Sequence, residues 1–318
     1  MASWSLHGIV IDADIELGRP AGPGTEPAVI LDVGEPRPIG SDPPPGVVLL
    51  QREVEDRPFQ TAAREGPRTT LRIHGLCDFR LTDGSDRVVC VPDPVLTRDQ
   101  LALLVRGAFL AFYLGLRGEC VLHASAVDVT GDGSALVFVG GAGWGKSTMA
   151  AWLCSVGARL IVDDLLRLDE SRPPRWAGTS SELRLRPTSE SLVTSAPPTW
   201  SPRPTVDGRT ALAPLITRHD AGELAAVVLP ARSLNLSGLQ VAALDPVEAL
   251  LELVRFPRLD GWQVSEVIES HFDALSRLTE AVPVYRACLP WGPPFTREAA
   301  LELLTALGLP IPAVAPSG

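Results

Sequence analysis

Eight consecutive residues, Gly140-Gly141-Ala142-Gly143-Trp144-Gly145-Lys146-Ser147, fit the pattern G-x-x-x-x-G-K-[ST] in full. Glycines at this spacing let successive backbone N–H groups turn inward around phosphate oxygens, and a helix starting at the loop's end points its positive terminus at the same anion. Lys146 has the stem and the compact ammonium to bridge a β and a γ phosphate, and the hydroxyl of Ser147, with Thr148 beside it, is placed for Mg²⁺. Among the 28 lysine and arginine residues, Lys146 is the sole lysine. Its retention here points to chemistry that arginine's planar fork does not reproduce. Trp144 is large for such a loop; its ring either packs against the protein or stacks on a nucleotide. ATP and Mg²⁺ are the ligands this motif calls for.

Asp163 and Asp164 follow the apolar run Arg159–Val162 downstream of the loop. If that run is a strand beside the strand leading into the loop, at least one carboxylate faces the metal and the terminal phosphate. Two adjacent acids permit a division of labour: one holds Mg²⁺ through a water while the other accepts the proton of an attacking hydroxyl. Adjacent strand residues tend to face opposite sides, so one metal-site acid and one solvated turn residue is the competing reading. Pairing Thr130 with Ser134 across a hairpin sets His123 opposite Gly141 within about two residues. That brings an imidazole to the edge of the loop, where it could orient an aspartate. In "ELRLR" the leucines share one face and Arg184 and Arg186 the other, either toward a ligand or toward solvent. Arg209 follows an Asp-Gly turn that could deliver it over a γ phosphate.

The elements that must position these groups are legible in outline. "ECVLHASAVDVTGDGSALVFVGG" reads as two strands joined at Gly131-Asp132-Gly133. A helix from about Ser147 to Val156 follows, with Gly157 placed to terminate it, and then a short strand ending at the two aspartates. Strand, loop, helix and strand in this order make an α/β unit whose ligands sit at the carboxyl ends of the strands. "ELAAVVLPA" is a further buried strand, and two amphipathic helices start near Asp245 and in "REAALELLTAL". Upstream, residues 1–95 alternate strand-like runs (Leu6 to Ile11, Ala28 to Val33, Val47 to Gln51, Thr69 to His74, Arg87 to Val91) with Pro/Gly-rich breaks, which predicts a small β-rich domain. Residues 96–117 open with Thr97 and Gln100 in capping-box spacing and continue as a buried connecting helix. Residues 118–312 then form the loop-bearing domain.

Composition narrows the function classes. A chain of 318 residues with 45% hydrophobic residues fills a core without staples. Its five cysteines form no C-x-x-C pair, so neither a disulfide framework nor a zinc ribbon is expected, and a reducing cytoplasm is the simplest home. A formal net charge of −10 with no dense basic run argues against a nucleic-acid partner. The longest apolar stretch, "LALLVRGAFLAFYLGL", carries Arg106 and two glycines, so no membrane span is expected, nor a signal peptide.

Taken together, "LHASAV", "GGAGWGKST" and "GARLIVDD" resemble the HPr kinase/phosphorylase family, particularly its shorter-motif relatives, and "ELRLRPTSESL", "VDGRTALAP" and "VPVYRACLPW" look like later family blocks. The resemblance implies a phosphoenolpyruvate carboxykinase-like P-loop kinase domain of α/β class behind the β-rich N-terminal domain, with Mg-dependent transfer of phosphoryl from ATP to a serine hydroxyl. Carried onto matching positions, it makes Asp163 the general base, His123 its tuning partner, and Ser147 and Asp164 the metal-side groups. Arg184, Arg186 and Arg209 are candidate transition-state cations. Thr148 stands where the bifunctional enzymes carry glutamate, and their E-x-R-G-x-G signature has no clear counterpart, which sets this chain apart from members that run the reverse phosphorolysis. Some relatives act on ribosomally made peptides, so the implied partner is a peptide or protein with a Ser/Thr hydroxyl, and a homo-oligomer is possible because related enzymes form rings. Two other readings fit the same residues: a nucleotide-gated binding module without transfer, and a kinase for a free small molecule.

Overall fold

The computed structural model describes residues 1–169, 171–189, 192, 197–233, 238–290 and 296–312. Glu190, Ser191 and Trp291, inside two of the later family blocks, lie outside them. The protein is mixed α/β with several sheets and divides into two units. The first comprises Met1–Glu119 with Leu259–His271, the second Cys120–Arg258 with Phe272–Gly318. The helix expected as a separate connector thus belongs to the first unit, and the return of Leu259–His271 to that unit has no counterpart in the sequence reading.

The first unit is built on one sheet of eight strands: β1 Ala2–Leu6, β2 Ile9–Ala13, β3 Val29–Val33, β4 Val47–Val54, β5 Arg57–Glu65, β6 Arg68–Ile73, β7 Cys77–Thr82 and β8 Arg87–Pro92, in the order β1-β2-β3-β8-β7-β6-β5-β4. The run Leu6 to Ile11 is not one strand but the turn of a hairpin, with His7 and Gly8 both at positive φ. Strands β5 and β7 escaped the sequence reading because charged and polar residues interrupt their apolar alternation. Both sheet edges are covered. Gln51 on β4 donates to Gly261 O at 2.9 Å, and Ser5 on β1 donates to Arg19 O at 2.8 Å. Only glycine fits at 261, where φ is +83° and a Cβ would lie 2.0 Å from the carbonyl oxygen of Gln51.

Thr97 caps α1 (Arg98–Leu104) in the capping box that its spacing with Gln100 predicts. A π turn, Val105–Phe109, leads without a break into α2 (Leu110–Leu116). Arg98–Leu116 is long and apolar enough to cross a bilayer, yet 61% of its most apolar stretch is buried within the protein. Phe109 stacks on Phe79 at 4.7 Å and Phe112 on Trp262 at 5.4 Å, so its apolar surface is used as core.

In the second unit β9 (Cys120–Leu122) leads to β10 (Ala124–Asp128), which pairs antiparallel with β11 (Ala135–Val139). The register sets Ala124 opposite Val139, one residue from the expected pairing. The turn between them is held by the buried carboxylate of Asp128, which accepts from Gly131 N at 2.6 Å, Gly133 N at 3.1 Å and Thr217 Oγ1 at 2.7 Å. Helix α3 (Lys146–Ser155) follows the glycine loop, and Gly157 at φ +120° turns the chain out of it. Strand β12 (Arg159–Val162) then pairs antiparallel with β10. The sheet continues from β11 through the parallel strands Leu224–Ser233 and Val284–Pro290 to Gln240–Ala243.

The expectation that β12 lies beside the loop strand is therefore corrected: β10 stands between them. Because β10 runs opposite to both, β12 and β11 still end at the same edge of the sheet. Alternation along the strands feeds two cores. Val127, Leu136, Phe138, Leu160 and Val228 pack with α3 and the helix Arg297–Ala306, while Ala126, Val137, Ile161 and Val227 pack with the helix Pro246–Leu253 and the end of the helix Ser265–Ala281. The last of these helices is a further element that the sequence reading passed over.

Asp128→Ala leaves three donors without their acceptor, two of them in buried hydrogen bonds. We expect it to lower stability by about 2–4 kcal/mol, read as a lower urea midpoint at unchanged slope.

Candidate functional site

The loop between β11 and α3 is shaped by its backbone. Gly143 and Gly145 take φ of +79° and +92°, the left-handed region that other residues enter at a cost. A Cβ at Gly140 or Gly141 would come within 3.0 or 2.9 Å of the Trp144 indole. Trp144 thus lies along its own loop, its ring edge-on to Phe256 at 5.2 Å, while remaining 38% exposed. The large residue is accommodated because its neighbours in the loop have no side chains.

A cavity of about 490 Å³ opens over this loop. The segment from Ala142 to Thr148 forms its floor, and His123, Asp164, Arg184, Arg186 and Arg209 stand around it. Lys146 is 6% exposed and donates to the carbonyl of Gly141 at 2.9 Å. Burial first, and then the cations Arg258 and Arg186, lower its pKa to about 8 against the opposing pull of Asp163 and Asp164.

Asp163 sits behind the loop. Its Oδ1 accepts from Ser147 Oγ at 2.7 Å and from Ser125 Oγ at 2.6 Å, and its Oδ2 accepts from the backbone N–H of Arg184 at 2.9 Å. Its own N–H donates to Ser180 Oγ at 2.9 Å.

Asp164 faces the cavity instead, at φ +76°. Its carboxylate meets Arg258 Nη2 at 2.8 Å, His123 Nδ1 at 3.4 Å and Arg184 Nη2 at 3.6 Å. Burial opposes its charge, but Arg258, His123 and Arg184 overcome that and hold it well below the usual carboxylate range. His123 moves the other way: burial takes its pKa down to about 3 despite Asp164, so the imidazole is neutral near pH 7.

These contacts correct the pairing implied by the resemblance. Ser147 bonds Asp163 rather than Asp164, and His123 meets Asp164 rather than Asp163. The arginines of "ELRLR" also depart from a simple solvated face. Leu183 and Leu185 are buried, while Arg184, 17% exposed, and the exposed Arg186 border the cavity. Arg184 and Arg209 share Asp207, at 3.1 and 3.4 Å, so the turn before Arg209 ties both guanidiniums to the rim.

Four contributors were not singled out from sequence: Ser125, Ser180, Asp207 and Arg258. Ser125 left a signal, since a hydroxyl in a strand as buried as Ala-Ser-Ala-Val-Asp needs a partner. Arg258 left none, being 94 residues from Asp164.

The site fits a polyphosphate. Lys146, Arg184, Arg186 and Arg209 oppose Asp164 and the Arg-bound Asp207, a cationic surplus in a chain of formal net charge −10. It also fits a cation carried in with that ligand. Among the described residues no three His, Cys, Asp or Glu side chains cluster as a metal cage. Ser147 and Asp163 supply one hydroxyl and one carboxylate, leaving the remaining positions to phosphate and water oxygens.

No protein-family model matches the chain, and no curated protein matches it. Among solved structures, the HPr(Ser) kinase/phosphatase from Coxiella burnetii matches 59% of this chain and 88% of its own, with 12% identity and a TM-score of 0.29. A score that low establishes no common fold.

Because free Lys146 titrates at about 8 and a bound triphosphate raises that value, the affinity contributed by its charge is complete below pH 8 and falls as pH rises above it. Titration calorimetry with metal-free ATP near pH 9, where the nucleotide is fully ionised, should show proton uptake approaching one per site that a Lys146→Met variant loses. Equal proton uptake in both proteins would mean that Lys146 does not meet the phosphates.

Proposed function

We propose that this protein is a kinase that transfers the γ-phosphoryl group of Mg·ATP to a hydroxyl on a peptide or protein. The observation that carries the reading is the cationic cavity over a complete phosphate loop whose Ser147 is hydrogen-bonded to a buried aspartate, with a second aspartate turned toward the same space. A module that only binds nucleotide has no use for that second acid. The resemblance to kinases acting on serine supports the acceptor class.

The loop amides, Lys146 and the dipole of α3 hold the triphosphate. Mg²⁺, when bound, neutralises charge on the β and γ phosphates, and Ser147 with Asp163 would hold it. Arg184, Arg186 and Arg209 compensate charge spread over the transferring group. Asp164, beside neutral His123, accepts the acceptor's proton as the new P–O bond forms and ADP departs. A carboxylate of low pKa suits this step when the transition state is loose and proton transfer is late. Rate acceleration comes mainly from positioning and electrostatics. A reducing cytoplasm that supplies Mg·ATP fits the five free cysteines.

Incubation with γ-labelled ATP and cell extract, followed by size fractionation, tests the reading. Label is expected in a peptide or protein fraction. Label only in small molecules would overturn the acceptor class, and tight ATP binding with no labelled product would leave a binding module. Asp164→Asn should lower transfer about 10²- to 10⁴-fold while ATP affinity changes little.

A further inference from the structure

Asp164 is held from two sides by one short piece of β structure. Phe256, Pro257 and Arg258 lie antiparallel to residues 121–123: Arg258 N donates to Val121 O at 2.8 Å, Pro257 bridges Leu122, and His123 N donates to Phe256 O at 3.1 Å. His123 and Arg258 thus reach the carboxylate from adjoining backbones fixed to each other. Phe256 in the same piece meets the indole of Trp144 in the phosphate loop.

The two guanidiniums on Asp164 are not equivalent. Arg184 borders the cavity, is shared with Asp207, and stands at 3.6 Å, so an entering phosphate competes for it. Arg258 stands at 2.8 Å, is 15% exposed and lies outside the cavity lining, so the phosphate does not take it away. Its buried Nε–H has no hydrogen-bond partner among the described residues.

We propose that Arg258 is a positioning residue for phosphoryl transfer, orienting the Asp164 carboxylate toward the acceptor hydroxyl while Arg184 turns to the phosphate. The assignment rests on the kinase reading above. It fixes the aspartate at a backbone position, φ +76°, where the other charged partners among the described residues are His123 and Arg184 at longer distances.

The test compares wild type, Arg258→Met, Arg258→Lys, Asp164→Asn and the Arg258→Met/Asp164→Asn double variant, with water as acceptor and ADP formation as readout. Binding of Mg²⁺ and a non-hydrolysable ATP analogue is measured alongside. Arg258→Met should keep analogue affinity and KM within about threefold and lose about 100-fold in kcat. Arg258→Lys, which keeps the charge without the fork, should fall between, and the double variant should be no slower than Asp164→Asn alone.

Losses that multiply in the double variant, or a rise in KM at unchanged kcat, overturn the proposal. Should Arg258→Met fail to fold, Arg258→Lys decides: reduced kcat at unchanged KM supports the role, and wild-type kcat overturns it. Should wild type form no ADP with water, the same variants are compared by label passed from γ-labelled ATP to cell extract, and no labelled product from wild type there overturns the functional reading and this role with it. Turnover in wild type matched by Arg258→Met overturns this role alone.

Discussion

A carboxylate placed behind a phosphate loop must be fully satisfied by hydrogen bonds, because an unpaired buried charge costs several kcal/mol. Asp163 meets that constraint with donors from three separate elements: Ser125 in β10, Ser147 at the start of α3, and the backbone N–H of Arg184 in the strand Leu183–Leu185. Strand order makes this reachable. The carboxylate spans the intervening β10 by bonding the serine that β10 contributes. The glycine loop, the first turn of α3 and the arginine rim are all referred to this one side chain.

Charge around that anchor is partly balanced within the protein. Three of the cavity's cations lean on internal acceptors: Lys146 on the carbonyl of Gly141, Arg184 on Asp164 and Asp207, and Arg209 on Asp207. The lowered pKa of Lys146 and the neutral state of His123 are consequences of crowding cations where water is scarce. A polyanion in the cavity would offset that crowding.

Much of this second unit was legible in the sequence. The glycine spacing with a lone lysine located the loop, the Gly-Asp-Gly turn set the hairpin register to within one residue, and the apolar run before two aspartates placed β12. These features are local, and local physics fixes them: turn chemistry, positive φ and the helix start. What stayed hidden depends on pairing across distance. Sequence gives no measure of which strand adds beside which, so β10 between β11 and β12 was not foreseen. Nor could Arg258 be matched to an aspartate 94 residues away. In the first unit, β5 and β7 were missed because cross-strand partners, rather than their own alternation, stabilise them. Leu259–His271 was missed because its backbone bonds to an edge strand and the stacking of Trp262 on Phe112 join residues far apart in sequence.

The two aspartates face different ways because the pleat of β12 stops before them. Strand β12 ends at Val162, and the residues after it are free of its pleat. Asp164 takes a left-handed conformation that aspartate enters more readily than bulkier residues. The turn sends the second carboxylate forward into the cavity, while the first stays behind the loop. Had both residues kept strand geometry, one acid would have pointed into the core below the sheet, where Val127, Leu136 and Leu160 leave no room for charge. The strained residue is therefore what sets two neighbouring acids on different sides of one loop, one bonded to Ser147 and one in the cavity in front of it.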